Sequence, residues 1–267
     1  MEGIFKDILT QLSQSRPAVL VTVVASRGSV PRRTGSKMCV FADGRFTGTI
    51  GGGALEKRAL EEAAVALRKR TSFLKTFPLH KAAGLQVCGG SVDLFFDVIA
   101  PRARLLICGG GHIGLALSYI GKLLDFHVTV LDHRRAFAGV RRFPHADRVV
   151  CRPYRKAVRL LARDKQTYVV IVTHGHAFDT ICCAEALRTP ARYIGMIGSR
   201  RKIAEVFAEL KKRGFSGKDL GRIAAPVGLD IGAETPAEIA VAIAAQLIEK
   251  ASDARPKGRR TSARCAR

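Results

Sequence analysis

The run Gly109-Gly110-Gly111-His112-Ile113-Gly114 is the strongest chemical signal in the sequence. Gly109, Gly111 and Gly114 follow a short apolar run and open a helical pattern, and Asp132 ends the next apolar run 18 residues on. Glycines in that setting let backbone N–H groups approach a phosphate at a helix N-terminus, as in a Rossmann-type turn. Asp132 could hold a ribose 2′-hydroxyl, and His133-Arg134-Arg135 behind it could equally favour an additional phosphate. The competing reading is a turn retained by a fold that binds no dinucleotide.

Four further constellations carry chemistry. Gly51-Gly52-Gly53, with Glu56 just beyond, again joins a strand to a helix and can present N–H groups to an anion, although a purely structural turn explains it as well. It is no Walker loop, because Ser36-Lys37 stands in the wrong order. Thr173-His174-Gly175-His176 and Asp179 fall at the C-terminal end of an expected parallel strand, where ligands bind in such sheets; they could hold a metal or move protons. The HExxH spacing is missing, which favours hydrogen-bonded support over ligation. Arg200, in Gly198-Ser199-Arg200-Arg201-Lys202, adds positive charge at another helix start. Cys88 lies beside Gly89-Gly90 in an expected loop, where His80 or Lys81 could lower its pKa, making it a candidate nucleophile or metal ligand. Cys182 and Cys183 read as packing residues.

Elements must position these groups. Residues 2–14 read as an amphipathic helix through Ile4, Phe5, Ile8, Leu9 and Leu12. Strands are expected at 18–25, 36–41 and 45–50, the last two around the turn Asp43-Gly44, then a helix over 54–70 and strands at 73–77 and 92–99. Beyond Pro101 the pattern alternates: strand 104–108, helix to 124, strands 127–132 and 148–151, helix 156–163, strand 167–175, helix 179–188, strand 191–198, helix 200–213. Thr235-Pro236-Ala237-Glu238 announces a closing helix. The fold class expected is α/β: a C-terminal Rossmann-like parallel sheet with helices on both faces, plus a smaller N-terminal α/β domain. The domains divide at 1–100 and 101–251, and residues 252–267, with six basic residues and one acid, read as a disordered basic tail.

With 267 residues and 47% hydrophobic content the chain can build two cores, and global disorder is excluded. The net charge of +23 attracts anionic partners of any kind. Nucleic acid is argued against by the lack of tryptophan, of a zinc finger, of a basic-region helix and of any aromatic run for stacking bases. No stretch has the ~18 consecutive apolar residues of a membrane span, and Glu2 and Asp7 stand where a secretory leader would be basic. Seven cysteines, odd in number and without CxxC spacing, suit a reducing compartment, so the cytoplasm is expected.

Taken together, TIGGGALE (49–56), CGG (88–90), CGGGHIG (108–114), VLD with the basic residues behind it (130–135), VTHGHAFD (172–179), IGMIGSRRK (194–202) and APVGLDIGAETPAEIA (225–240) resemble the XdhC/CoxI family of accessory proteins for molybdenum hydroxylases. The order is preserved from about residue 15 to 250. IGGGALE is similar to the xanthine dehydrogenase branch; CoxI-type members typically carry cysteine where this chain has Ala54. Val87 departs from the Cys-Cys-Gly-Gly form frequent in that branch.

The resemblance implies a chaperone that binds molybdenum cofactor (molybdopterin), supports exchange of its oxo for a sulfido ligand with a cysteine desulfurase, and inserts it into the molybdenum subunit of xanthine dehydrogenase. By the same resemblance a homodimer is expected. The alternative is an NAD(P)-dependent oxidoreductase using Gly109, Gly111, Gly114 and Asp132, with His174 or His176 as acid or base. Cys88 is placed on a family-like motif, and thiolate is a soft ligand for molybdenum. Cys88→Ser is therefore expected to leave the thermal transition unchanged and to lose most cofactor retention or hydroxylase activation. Cys108→Ser and Cys265→Ser should stay near wild type in activation; normal cofactor binding by Cys88→Ser would move the site to the glycine turns at 51–53 and 109–114, and retained binding with failed activation would place Cys88 in sulfuration or handover.

Overall fold

The structure, a computed structural model, describes residues 2–28, 32–79 and 90–252. It divides into two compact units, Met1–Pro101 and Arg102–Ser252. Cys88 and Gly89 lie outside the described residues, as do His80, Lys81 and the chain beyond Ser252.

The first unit is a five-stranded antiparallel sheet ordered β3-β2-β1-β5-β4, formed by β1 (Ala18–Arg27), β2 (Lys37–Phe41), β3 (Phe46–Gly48), β4 (Phe73–Leu79) and β5 (Gly90–Ile99). Successive side chains of a strand point to opposite faces. Val19, Val21, Val23, Met38 and Val40 accordingly meet Leu55, Ala59, Ala63 and Ala66 of α2 (Gly53–Lys69). Ala18, Leu20, Cys39 and Phe41 meet Ile4 and Ile8 of α1 (Glu2–Ser13) on the other face. Phe5 and Leu9, which the spacing places on the apolar stripe, stay 47% and 67% exposed because the short α1 docks through its Ile4/Ile8 edge.

The second unit is a six-stranded parallel sheet ordered β11-β10-β9-β6-β7-β8, the strand order of a Rossmann fold. Its strands are β6 (Arg104–Cys108), β7 (His127–Asp132), β8 (Arg148–Cys151), β9 (Thr167–Ile171), β10 (Tyr193–Met196) and β11 (Ile223–Ala224). Leu105, Ile107, Val128, Val130, Tyr168 and Val170 pack under α3 (His112–Leu123) and α8 (Pro236–Ser252). Leu106, Cys108, Leu131, Val169 and Ile171 pack under α4 (Tyr154–Leu161), α5 (His176–Leu187) and α6 (Arg200–Lys212). The central strands, apolar over most of their length, thus have both faces covered. No helix among the described residues is long and apolar enough to cross a membrane.

Three elements escape the sequence reading, the 3-10 turn Arg135–Phe137 and, later in the chain, the four-residue α7 (Gly217–Leu220) with the two-residue β11, all too short for a periodic signal. Arg222 holds this segment in place: its guanidinium donates to the carbonyl oxygens of Leu187 at 2.7 Å and Thr189 at 2.9 Å. Both acceptors belong to buried residues, so Arg222→Ala leaves them unpaired and should destabilise the chain by about 1–3 kcal/mol in urea unfolding. An unchanged unfolding midpoint would show that water replaces the guanidinium.

Candidate functional site

In the first unit the glycine turn is braced from within. Glu56 Oε1 accepts the Thr49 hydroxyl at 2.6 Å and the N–H groups of Gly52 at 2.8 Å and Ile50 at 3.1 Å. Burial pushes its carboxyl up, but the Thr49 hydroxyl and the surrounding N–H groups more than reverse this and hold it below the ordinary carboxylate value. The chain's own carboxylate therefore takes N–H groups that the sequence suggests for an external anion. Gly52 has φ +78°, a left-handed value that L side chains rarely adopt. A substitution such as Gly52→Val would accordingly strain the backbone as well as any ligand.

In the second unit the sequence-predicted groups converge at the C-terminal end of the sheet, where the chain leaves β6 toward one edge and β9 toward the other. Such a switch point opens a crevice between loops. The three motif glycines play different parts there. A Cβ on Gly109, whose φ is +119°, would strike the Val172 carbonyl, and one on Gly114 would strike the Gly109 carbonyl. Nothing lies within 4 Å of a Cβ built on Gly111. Gly111 caps α3 without a side chain, and Gly175 caps α5 without one. Two helix N-termini thus bring uncapped N–H groups to this end of the sheet, beside the exposed His112, His174 and His176. Arg200, at the start of α6, is exposed and makes no ion pair among the described residues. Cys151 ends β8 opposite Asp132 and is the exposed thiol among the five described cysteines.

Asp132 has no side-chain surface left to offer. One carboxylate oxygen accepts the Gly110 N–H at 2.8 Å and Arg134 Nη2 at 2.9 Å; the other accepts Arg134 Nε at 3.0 Å and the Arg134 N–H at 2.9 Å. Burial raises this carboxyl, and the Arg134 guanidinium with the two N–H groups overcomes it, so its pKa lies below the usual value. Arg134 also stacks on Phe137 with its guanidinium carbon 3.8 Å from the ring centroid, and Phe137 presses its backbone against Gly110. Arg134 serves Asp132, where the sequence leaves it available for an additional phosphate.

The loops after β9 and β10 are joined by groups that the motif reading only grazed. Asp179 is buried; the Thr173 hydroxyl donates to its Oδ1 at 2.6 Å, and Lys202 Nζ pairs with its Oδ2. Burial pushes the Asp179 carboxyl up against the opposing pull of Lys202 and Thr173. Lys202 reaches back from the first turn of α6 past Gly198, where a Cβ would crowd its side chain. The sequence signal was present in VTHGHAFD and GSRRK; the pairing between them is tertiary. Among the described residues, no group of three or more His, Cys, Asp or Glu side chains converges on a metal position.

The glycines make a direct test. Gly111→Ala should keep wild-type stability to within about 0.5 kcal/mol while weakening retention of a phosphate-bearing ligand at least tenfold. Gly114→Ala should lose about 1–3 kcal/mol of stability through overpacking. Equal stability losses for both, measured by urea unfolding, would remove Gly111 from the ligand cradle.

Comparison with known proteins places this geometry. The XdhC Rossmann domain model matches residues 105–247, and the XdhC and CoxI family model matches residues 11–78. The uncharacterized protein YqeB of Escherichia coli K12 is 32% identical over 256 residues, covering 94% of this chain and 47% of that protein. A probable xanthine dehydrogenase component from Bacillus subtilis is 30% identical over 160 residues, covering 60% of this chain and 46% of that protein. The chain spans about half the length of these two relatives. The molybdenum cofactor insertion chaperone PaoD of Escherichia coli K12 is 24% identical, with 91% of this chain and 86% of PaoD covered. A solved structure described as a xanthine dehydrogenase from Bacillus halodurans shares the fold at a TM-score of 0.53 and 20% identity, over 97% of this chain and 98% of that one. By its motifs, its strand order and these matches, the chain belongs to the XdhC and CoxI family.

Proposed function

We propose that this chain is a maturation factor for a xanthine dehydrogenase, which holds molybdenum cofactor as cargo and passes it to the apoenzyme. The observation that carries the reading is the cradle at Gly111 and Gly175, two helix N-termini without side-chain caps beside three exposed histidines and Arg200. Molybdenum cofactor is a pterin with a dithiolene and a phosphate, and its anionic groups match uncapped N–H donors and guanidinium. The name of the relative PaoD, a molybdenum cofactor insertion chaperone, supports the same cargo.

Within that reading, the N–H groups at the starts of α3 and α5 hold the phosphate, Gly111 gives it room, and Arg200 adds charge. His174 and His176 stand where they can hydrogen-bond the pterin edge. Lys202, Asp179 and Thr173 fix the two loops that carry these groups, and Asp132 with Arg134 fixes the glycine turn. Gly109 and Gly114 permit the turn itself. When bound, the cargo supplies the redox chemistry of the recipient enzyme; this chain supplies the cradle. Gly51, Gly52 and Gly53 form a turn in the first unit whose N–H groups are engaged by Glu56 and Thr49, so their part in this reading is to shape that unit and not to hold the phosphate. Cys88 is the proposed metal or sulfur ligand, and a cysteine desulfurase the sulfur donor, in a cytoplasmic setting. A homodimer is part of the same proposal.

The NAD(P) alternative meets a specific obstacle, since Arg134 and Gly110 already engage both oxygens of the acid that would hold the ribose. Chain purified from a molybdenum-competent host should carry molybdenum, by mass spectrometry, and an equal amount of oxidised fluorescent pterin. It should also activate apo-xanthine dehydrogenase, and Gly111→Ala should lose both properties. Nicotinamide turnover by a preparation free of pterin and molybdenum would overturn the proposal.

A further inference from the structure

The outer surface of α4, α5 and the end of α6 forms a groove that the cofactor cradle does not use. Two adjoining hollows, of about 570 and 690 Å³, share Arg155, Glu185 and Arg188. Glu185 is buried in the floor and holds two arginines: Arg159 Nε at 3.0 Å from Oε2, and Arg188 Nη1 at 3.0 Å from Oε1. Both arginine side chains remain about half exposed, at 55% and 44%, so each is anchored by Glu185 and still reachable from solvent. Arg213 adds a fifth cation beside Arg155 and Lys156. The walls are apolar, from Ile181, Ala184 and the half-exposed Leu160.

The charge pattern of α4 is unfavourable for the helix alone. Its first turn holds Arg155 and Lys156 and no acid, which sets cations against the positive end of the helix dipole. Neither makes an ion pair among the described residues, and the only carboxylate lining the groove is already committed to Arg159 and Arg188. A lining of aligned arginines, uncompensated cations and an aliphatic wall is complementary to carboxylates interleaved with apolar side chains. Nucleic acid fits less well, because the groove presents no aromatic ring for stacking.

We propose that this groove docks an acidic, partly apolar segment of the protein that receives the cofactor. The proposal rests on the maturation reading above and extends it to a surface separate from the cradle. The test is binding of the full chain to apo-xanthine dehydrogenase by interferometry across a salt series, with Arg155→Glu/Lys156→Glu and Leu160→Ala as variants. The double reversal places acids in the first turn of α4, which suits the helix dipole, and an unchanged midpoint in urea unfolding separates lost binding from unfolding. It should weaken binding at least tenfold and flatten the salt dependence, while retained molybdenum and pterin stay at wild-type levels. Leu160→Ala should weaken binding several-fold with the salt slope unchanged.

Wild-type affinity in the double reversal would overturn the groove and leave the maturation reading standing. Failure of the unaltered, cofactor-loaded chain to bind the apoenzyme would overturn both. Duplex DNA or RNA that displaces the apoenzyme, and is itself lost in the double reversal but not in Leu160→Ala, would assign the groove to nucleic acid and overturn the protein occupant.

Discussion

The second unit depends on one close approach of backbone to backbone. At Gly109 the chain leaving β6 runs so near the Val172 carbonyl that no side chain fits, and α3 begins so near the same turn that Gly114 must also lack one. That contact brings the loops after β6 and β9 side by side, and with them two helix N-termini. The candidate cradle follows from the crowding, since Gly111, Gly175 and the three histidines are placed by elements that diverge from it. Asp132 and Asp179 then act as internal anchors. One ties the turn to Arg134, the other ties the β9 loop to α6 through Lys202.

Much of this was legible in the residues. The alternation of apolar strands and helices beyond Pro101, the glycine spacing and the Thr235–Glu238 cap specify the parallel sheet, and Glu238 does accept N–H groups from Glu234 and Thr235. Boundaries differ where a turn residue sits inside an apolar or polar run: β9 ends at Ile171, four residues before the expected end of the strand, and Gly175 with φ +101° turns the chain into α5 at His176, three residues early. The partners of charged residues were not legible. Arg134 next to Asp132 reads as a free cation until the turn brings it round, and nothing in the separation of Asp179 from Lys202 announces a buried pair. Glu56 was visible as part of a motif, yet its part, filling the N–H groups of its own turn, is a tertiary fact.

The charge of the chain is not evenly purposeful. Arg45 with Asp43 and Arg213 with Glu209 are exposed pairs of the kind that contribute little to stability. Glu185 differs, because its buried carboxylate holds one guanidinium on each oxygen and so dictates where Arg159 and Arg188 point. Basic residues in the first turns of α4 and α6 oppose the helix dipole and concentrate positive potential on the second unit.

The burial of the cysteines has a consequence for sulfur traffic. Cys39, Cys108, Cys182 and Cys183 lie in the two cores. Burial pushes the thiol of Cys39 up to about 12 and raises those of Cys182 and Cys183 as well. A thiol that cannot ionise neither attacks a persulfide nor accepts its outer sulfur. The fold thereby keeps Cys39, Cys182 and Cys183 from reacting as thiolates, much as cladding insulates a wire, and Cys108 is closed off from solvent by burial. Among the described residues, the thiol left open to any electrophile in solution is that of Cys151, on the rim of the sheet.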